Sequence, residues 1–211
     1  MSFHARIVQT LTKAGGRSGD FDYVVISAKR IGYLLPNWVE LVVPGKRGLQ
    51  VPYEKNLDAL AKIYRTIIES GGKMVFYMEP GPHAAIESWI PVAQIYQKLH
   101  ADLERMNING KKQEVILVPA LYFWMDGMRR YGKKGWYTDA VHGTALARYS
   151  SACLLYTYIT GKDPRENAFN KLTELARNWD PIPNKVNLTV SENDAKWIKE
   201  QVWIYYSTKP R

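Results

Sequence analysis

The sequence predicts an α/β protein with a mainly parallel sheet covered on both faces. Three observations carry this. Short apolar runs rich in β-branched residues alternate with longer amphipathic stretches. The apolar runs are continuous rather than alternating, as buried parallel strands are. Glycine pairs or a proline close several of the segments.

Taken in order, residues 3–14 place Ile7, Val8 and Leu11 at helical spacing before Gly15 and Gly16. Asp20–Ser27 reads as a first buried strand. Residues 29–53 hold Pro36, Pro44 and Pro52 and read as a long irregular insertion, in which 38–43 is a candidate extra strand. Residues 54–70 carry Leu57, Leu60, Ala61, Tyr64, Ile67 and Ile68 on one helical face, ended by Gly71 and Gly72. Lys73–Met78 is a second buried strand. Residues 84–106 read as a long helix with Ile90, Ile95, Leu99 and Leu103 toward the core. Val115–Val118 is a third strand, closed by Pro119. A short helix near 121–130 precedes a loop from Gly132 to His142. Helices at 143–160, 165–178 and 191–206 complete the chain. No linker or repeat divides it, so 1–211 is expected to be one domain.

Composition narrows the function classes. The 211 residues are 46% hydrophobic and 23% charged, which excludes disordered and fibrous proteins. A single cysteine, Cys153, excludes an internal disulfide and a cysteine zinc cluster. The net charge is +9, but the basic residues are scattered in pairs such as Lys111-Lys112 and Arg129-Arg130. That distribution does not point to nucleic acid. No apolar run reaches the ~18 residues of a membrane span. No signal peptide is evident, so the expected compartment is the cytoplasm, or outside it if further sequence precedes Met1. No His, Asp or Glu cluster has metal spacing and no glycine-rich phosphate loop occurs, so neither metal nor cofactor is expected.

In open parallel sheets, sites form beyond the carboxyl ends of the strands. The segments after Ser27 and Met78 lie there, with the loop Tyr137-Thr138-Asp139-Ala140-Val141-His142. Asp139 and His142 are three residues apart on a loop leading into a helix. The carboxylate can accept the imidazole Nδ1 proton, fix the tautomer and stabilise the imidazolium after Nε2 takes a proton. A serine nucleophile needs such a base. The bland alternative is a surface Asp near a helix start beside a solvated His. His4 and His100 fall in helical patterns and read as solvated positions. His83 follows Met78-Glu79-Pro80-Gly81-Pro82 and is either a substrate contact or a helix cap. Trp124 and Trp136 fall near the expected rim, where aromatic rings stack on sugar or acyl groups. Tyr149, Tyr156 and Tyr158 read as core.

The run from Trp136 through Asp139, His142 and Tyr149 to Gly161-Lys162-Asp163-Pro164 resembles the C-terminal signature of the SGNH (GDSL-like) hydrolase family. Asp20–Ile26, Gly71–Pro80 and Ser191–Trp203 resemble its preceding strands and closing helix. The resemblance covers about residues 20–205. It implies a flavodoxin-like three-layer α/β/α fold and ester or acyl hydrolysis, with a small ester or acylated carbohydrate as substrate. His142 would be the general base and Asp139 its orienting partner. The family's nucleophile follows a first strand in a Gly-Asp-Ser or Gly-Asn-Ser turn, and this chain has neither. Ser2, in Met1-Ser2-Phe3, and Ser27, at a strand end, are the candidates to stand in. Ser27 also occupies the place of the family's oxyanion-hole amide. The absent strand lies inside the family's sheet, so upstream residues, a second copy or another chain, or closure of the remaining strands would have to complete it. Two readings remain open: an active ester hydrolase, or a catalytically inactive scaffold that binds or supports a partner.

Overall fold

The computed structural model of the protein describes residues 21–27, 52–81, 89–110, 113–139, 142–169 and 190–208. The expected helix at 3–14, nearly all of the 29–53 insertion, Ser2, His4 and His83 lie outside these residues. The described residues form an α/β structure with a small, open, parallel three-stranded sheet and five α-helices. The chain divides into two units, one up to Leu121 and one from Tyr122.

The first unit holds the sheet, in the order β1 (Tyr23–Ser27), β2 (Lys73–Tyr77), β3 (Ile116–Val118). The register pairs Val25 with Val75 and Ser27 with Tyr77, and then Tyr77 with Val118. β2 is central, and its Met74, Val75 and Phe76 are fully buried. Such a strand must be apolar on both faces, which is why it reads as a continuous run. β1 departs from the expected buried strand. Phe21, Tyr23 and Val25 alternate on one exposed face, with Val25 46% accessible, while Ile26 is buried. The physical reason is position: β1 is an end strand and pairs only with β2 among the described residues.

Helix α1 (Tyr53–Glu69) buries Leu60, Ile63, Tyr64, Ile67 and Ile68, the face its sequence spacing predicts. The Tyr64 hydroxyl donates to the Gln113 carbonyl at 2.8 Å, and the Tyr53 hydroxyl to Asp102 at 2.6 Å. Both bonds tie α1 to segments about fifty residues away. Burial, then the Asp102 hydrogen bond, push the Tyr53 phenol far above its usual range. Helix α2 (Trp89–Glu104) buries Trp89, Val92, Ala93, Tyr96, Leu99 and Leu103. Ile90, expected in the core, is 47% exposed instead. The helix turns Trp89 and Tyr96 inward, and with 3.6 residues per turn Ile90 then points out. His100, expected to be solvated, contacts the Val115 carbonyl through Nε2 at 2.6 Å, just ahead of β3.

The second unit is helical. α3 (Ala120–Trp136) runs six residues beyond the expected 121–130 segment. Gly132 interrupts it with φ 69° and ψ 169°, a backbone only glycine adopts at low cost. α4 (Ala145–Thr160) is capped by Thr144, whose side chain accepts from the Ala147 amide, and ends at Gly161. A 3-10 turn (Pro164–Glu166) starts where a helix is expected at 165–178, of which the residues from 170 lie outside the described set. α5 (Glu192–Ser207) begins at Ser191, which caps the Asp194 amide.

α4 packs against α5 and buries Ala147, Tyr149, Ser150, Cys153, Leu154, Thr157 and Tyr158. Tyr149 and Tyr158 are therefore core, as expected, whereas Tyr156 is only half-buried. Burial raises the Tyr149, Tyr158 and Tyr205 phenols well above their usual range; for Tyr205 the bond its hydroxyl donates to Asp126 adds to the effect. Burial also pushes the Cys153 thiol up to about 11.

Candidate functional site

The loop between α3 and α4 is closed by its own backbone. Tyr137 and Gly143 form an antiparallel bridge. The Thr144 amide donates to the Trp136 carbonyl at 3.0 Å, and the Thr138 amide to the His142 carbonyl at 2.8 Å. The Thr138 hydroxyl reaches the same carbonyl at 3.0 Å. From the other side, the Thr144 hydroxyl donates to the Gly135 carbonyl at 2.9 Å and Arg148 Nε to the Gly143 carbonyl at 3.0 Å. Thr138 and His142 are thus tied to each other, and the flanking stems are fixed from both sides.

Inside this loop the Asp139 carboxylate holds His142 at two points. Oδ1 accepts from the His142 amide at 2.7 Å, and Oδ2 meets the ring Nδ1 at 2.6 Å. The first contact is what a short acidic side chain does at a turn. The second has a chemical consequence. An ionised carboxylate only accepts, so Nδ1 must carry a proton. In the neutral ring Nε2 is then the basic atom. Both side chains are open to solvent, with His142 64% and Asp139 54% accessible. The arrangement leaves Nε2 as the ring's acceptor atom.

Trp124 and Trp136 do not occupy rim loops. Both lie on α3, at 8% and 0% exposure. Trp136 comes after the Gly132 interruption and stacks on Tyr131, with centroids 5.7 Å apart. Trp124 meets Trp136 and Tyr137 edge-on, at 6.2 and 5.3 Å. Its Nε1 donates to the Ser151 hydroxyl at 3.1 Å. The two indoles are the packed floor beneath the loop. Trp136 is on a helix rather than in a loop because α3 continues past Gly132, whereas Trp124 falls inside the expected 121–130 helix and turns its ring inward.

Ser27, in the other unit, ends β1. Its hydroxyl donates to the Glu79 carboxylate, just past β2. The Glu79 amide donates in turn to the Tyr96 hydroxyl at 3.2 Å. The parallel β1–β2 register brings these strand tips together. Glu79 was not singled out from sequence; the available signal was an acidic residue directly behind an apolar strand. Ser27, expected either as nucleophile or as oxyanion donor, has its proton engaged by this carboxylate.

A cleft of about 390 Å³ beside α5 is lined by Arg165, Lys196, Lys199, Glu192 and Glu200. Arg165 is committed to Asp163 through a forked pair, which holds the Asp163 carboxyl below its usual range. Lys199 donates to the Asn167 carbonyl. Its mixed charge favours no one ligand. Among the described residues no three His, Cys, Asp or Glu side chains are grouped to hold a metal ion, and no helix is long and apolar enough to cross a membrane. No family model, curated protein or solved structure matches the chain.

Proposed function

We propose that the chain is a serine ester hydrolase of SGNH type, with His142 as general base and Asp139 as its orienting partner. The observation that carries this reading is the two-point hold of Asp139 on His142, with Nδ1 at 2.6 Å from Oδ2. A serine hydroxyl attacks the ester carbonyl while His142 Nε2 takes its proton. The tetrahedral oxyanion collapses, and the leaving alcohol departs with the proton from Nε2. Water then repeats the sequence on the acyl-enzyme and regenerates the serine. The parallel order of β1, β2 and β3 agrees with a flavodoxin-like arrangement. The substrate class proposed is a small ester or an acylated sugar, but the second part draws no support from Trp124 and Trp136, whose rings are buried.

The alternative is a catalytically inactive scaffold. Two observations favour it: the pair stands open to water, and the Ser27 hydroxyl is held by Glu79. Hydrolysis of p-nitrophenyl acetate, followed by mass analysis after a serine-directed fluorophosphonate, separates the readings. An active enzyme loses about 10²–10⁴-fold in rate in His142→Ala. Its labelled peptide names the nucleophile, with Ser2 and Ser27 as the candidates. No turnover above buffer and no labelled serine would leave the scaffold reading standing.

A further inference from the structure

We propose that Gly143 and Trp124 are positioning residues that set the alignment of the Asp139–His142 pair. This inference rests on the hydrolase reading for its effect on rate, but not for its effect on geometry. Gly143 directly follows His142 and lies against the Trp124 ring. A Cβ at 143 would sit 2.5 Å from Trp124 Cη2, 3.2 Å from Cζ2 and 3.0 Å from the Ala147 Cβ. Carbon atoms in ordinary contact stand ~3.5–4 Å apart, so something must move.

Trp124 is poorly placed to yield. Its Nε1 is bonded to Ser151, its ring is 8% exposed, and Trp136 and Tyr137 abut it. Trp136 is itself wedged, since a Cβ at Gly127 would come within 2.3 Å of its Cζ2. Ala147 belongs to α4 and is fully buried. The displacement therefore falls on the backbone at 142 and 143. That stretch carries the His142 amide bound to Asp139 Oδ1 and the His142 carbonyl bound to Thr138. Moving it changes the approach of Nδ1 to Oδ2. A misplacement of ~1 Å at a catalytic group can cost ~10²-fold in rate.

The test reads the imidazole directly. Protein with ¹⁵N-labelled histidine is followed by NMR at a pH where the rings are neutral, with the His142 signals assigned by their loss in His142→Ala. The wild type is expected in the Nδ1–H tautomer. Gly143→Ala should shift His142 mainly to Nε2–H, the form favoured by a free imidazole. The double variant Trp124→Phe/Gly143→Ala removes the obstructing ring carbons and should restore Nδ1–H. On p-nitrophenyl acetate, kcat should fall at least tenfold in Gly143→Ala with KM little changed, and recover in the double variant.

Retention of the wild-type tautomer in a folded Gly143→Ala protein overturns the proposal. If that variant does not fold, the double variant decides: Nδ1–H supports the proposal and Nε2–H overturns it. A wild type in the Nε2–H form also overturns it, since there is then no alignment to set. Failure of the hydrolase reading alone would look different, as absent turnover in a wild type whose tautomer responds as described.

Discussion

Two hydrogen-bonded pairs stand out among the described residues, and they are built in opposite ways. Ser27 and Glu79 are 52 residues apart and meet only because β1 and β2 pair in parallel. Asp139 and His142 are three residues apart and meet because a short loop closes on itself. The first pair is half-buried at the tips of a sheet; the second is largely exposed. A long-range pair reports on the packing beneath it. A local pair depends on the stems of its own loop and on what packs directly against them. Exposure also separates them energetically, because water competes for an open polar contact far more than for a covered one.

The comparison breaks most visibly at the core of the first unit. Phe76 is fully buried in β2 and packs on Tyr96 with ring centroids 5.0 Å apart. Phe76→Ala should lower stability by about 3–5 kcal/mol, measured by urea unfolding. The Ser27–Glu79 contact should loosen with it. The two-point hold of Asp139 on His142 should persist as long as the chain stays folded, as reported by the imidazole tautomer.

Alkali should act next, and mainly on the second unit. Burial raises the phenols of Tyr131, Tyr149, Tyr158 and Tyr205 there, against Tyr53 and Tyr64 in the first. A phenol with a higher pKa folded than unfolded stabilises the fold fully below the unfolded value, ~10. That contribution is lost as pH climbs from there toward the folded value. Melting temperature should therefore be insensitive to these groups up to about pH 9 and fall above about pH 10. Hydrogen exchange should show α4 and α5 losing protection before β2. Equal loss in both units would remove this contrast.

Single-pair deletions sharpen the contrast further. Ser27→Ala removes a half-buried bond to a carboxylate and should cost about 1–2 kcal/mol. Asp139→Ala removes an exposed pair and should cost below about 1 kcal/mol in the same urea assay. Yet it should abolish the Nδ1–H preference of His142. If Asp139→Ala proved the more destabilising of the two, the local pair would be a structural clasp rather than a proton-handling site.

The sequence foretold these two pairs unequally, for the same reason. Asp139 and His142 were legible because their spacing and their function occupy one short stretch. Ser27–Glu79 was only half legible. The strands around it were recognisable from their apolar runs, but no local signal says which strand tip faces which. The helical face of α1 followed its periodicity. Ile90 did not, because Trp89 and Tyr96 determine which side of α2 is buried. The extension of α3 past Gly132 was missed because a glycine usually ends a helix, and here it redirects one.

Cys153 lies in the middle of α4, buried, with its thiol held protonated to about pH 11. As the chain's sole sulfhydryl, it gives a single-site clock. At neutral pH a thiol reagent modifies it appreciably only when α4 separates from its neighbours. The rate of modification in excess reagent then counts openings of the second unit in the unaltered protein, with no label introduced and no background from other thiols.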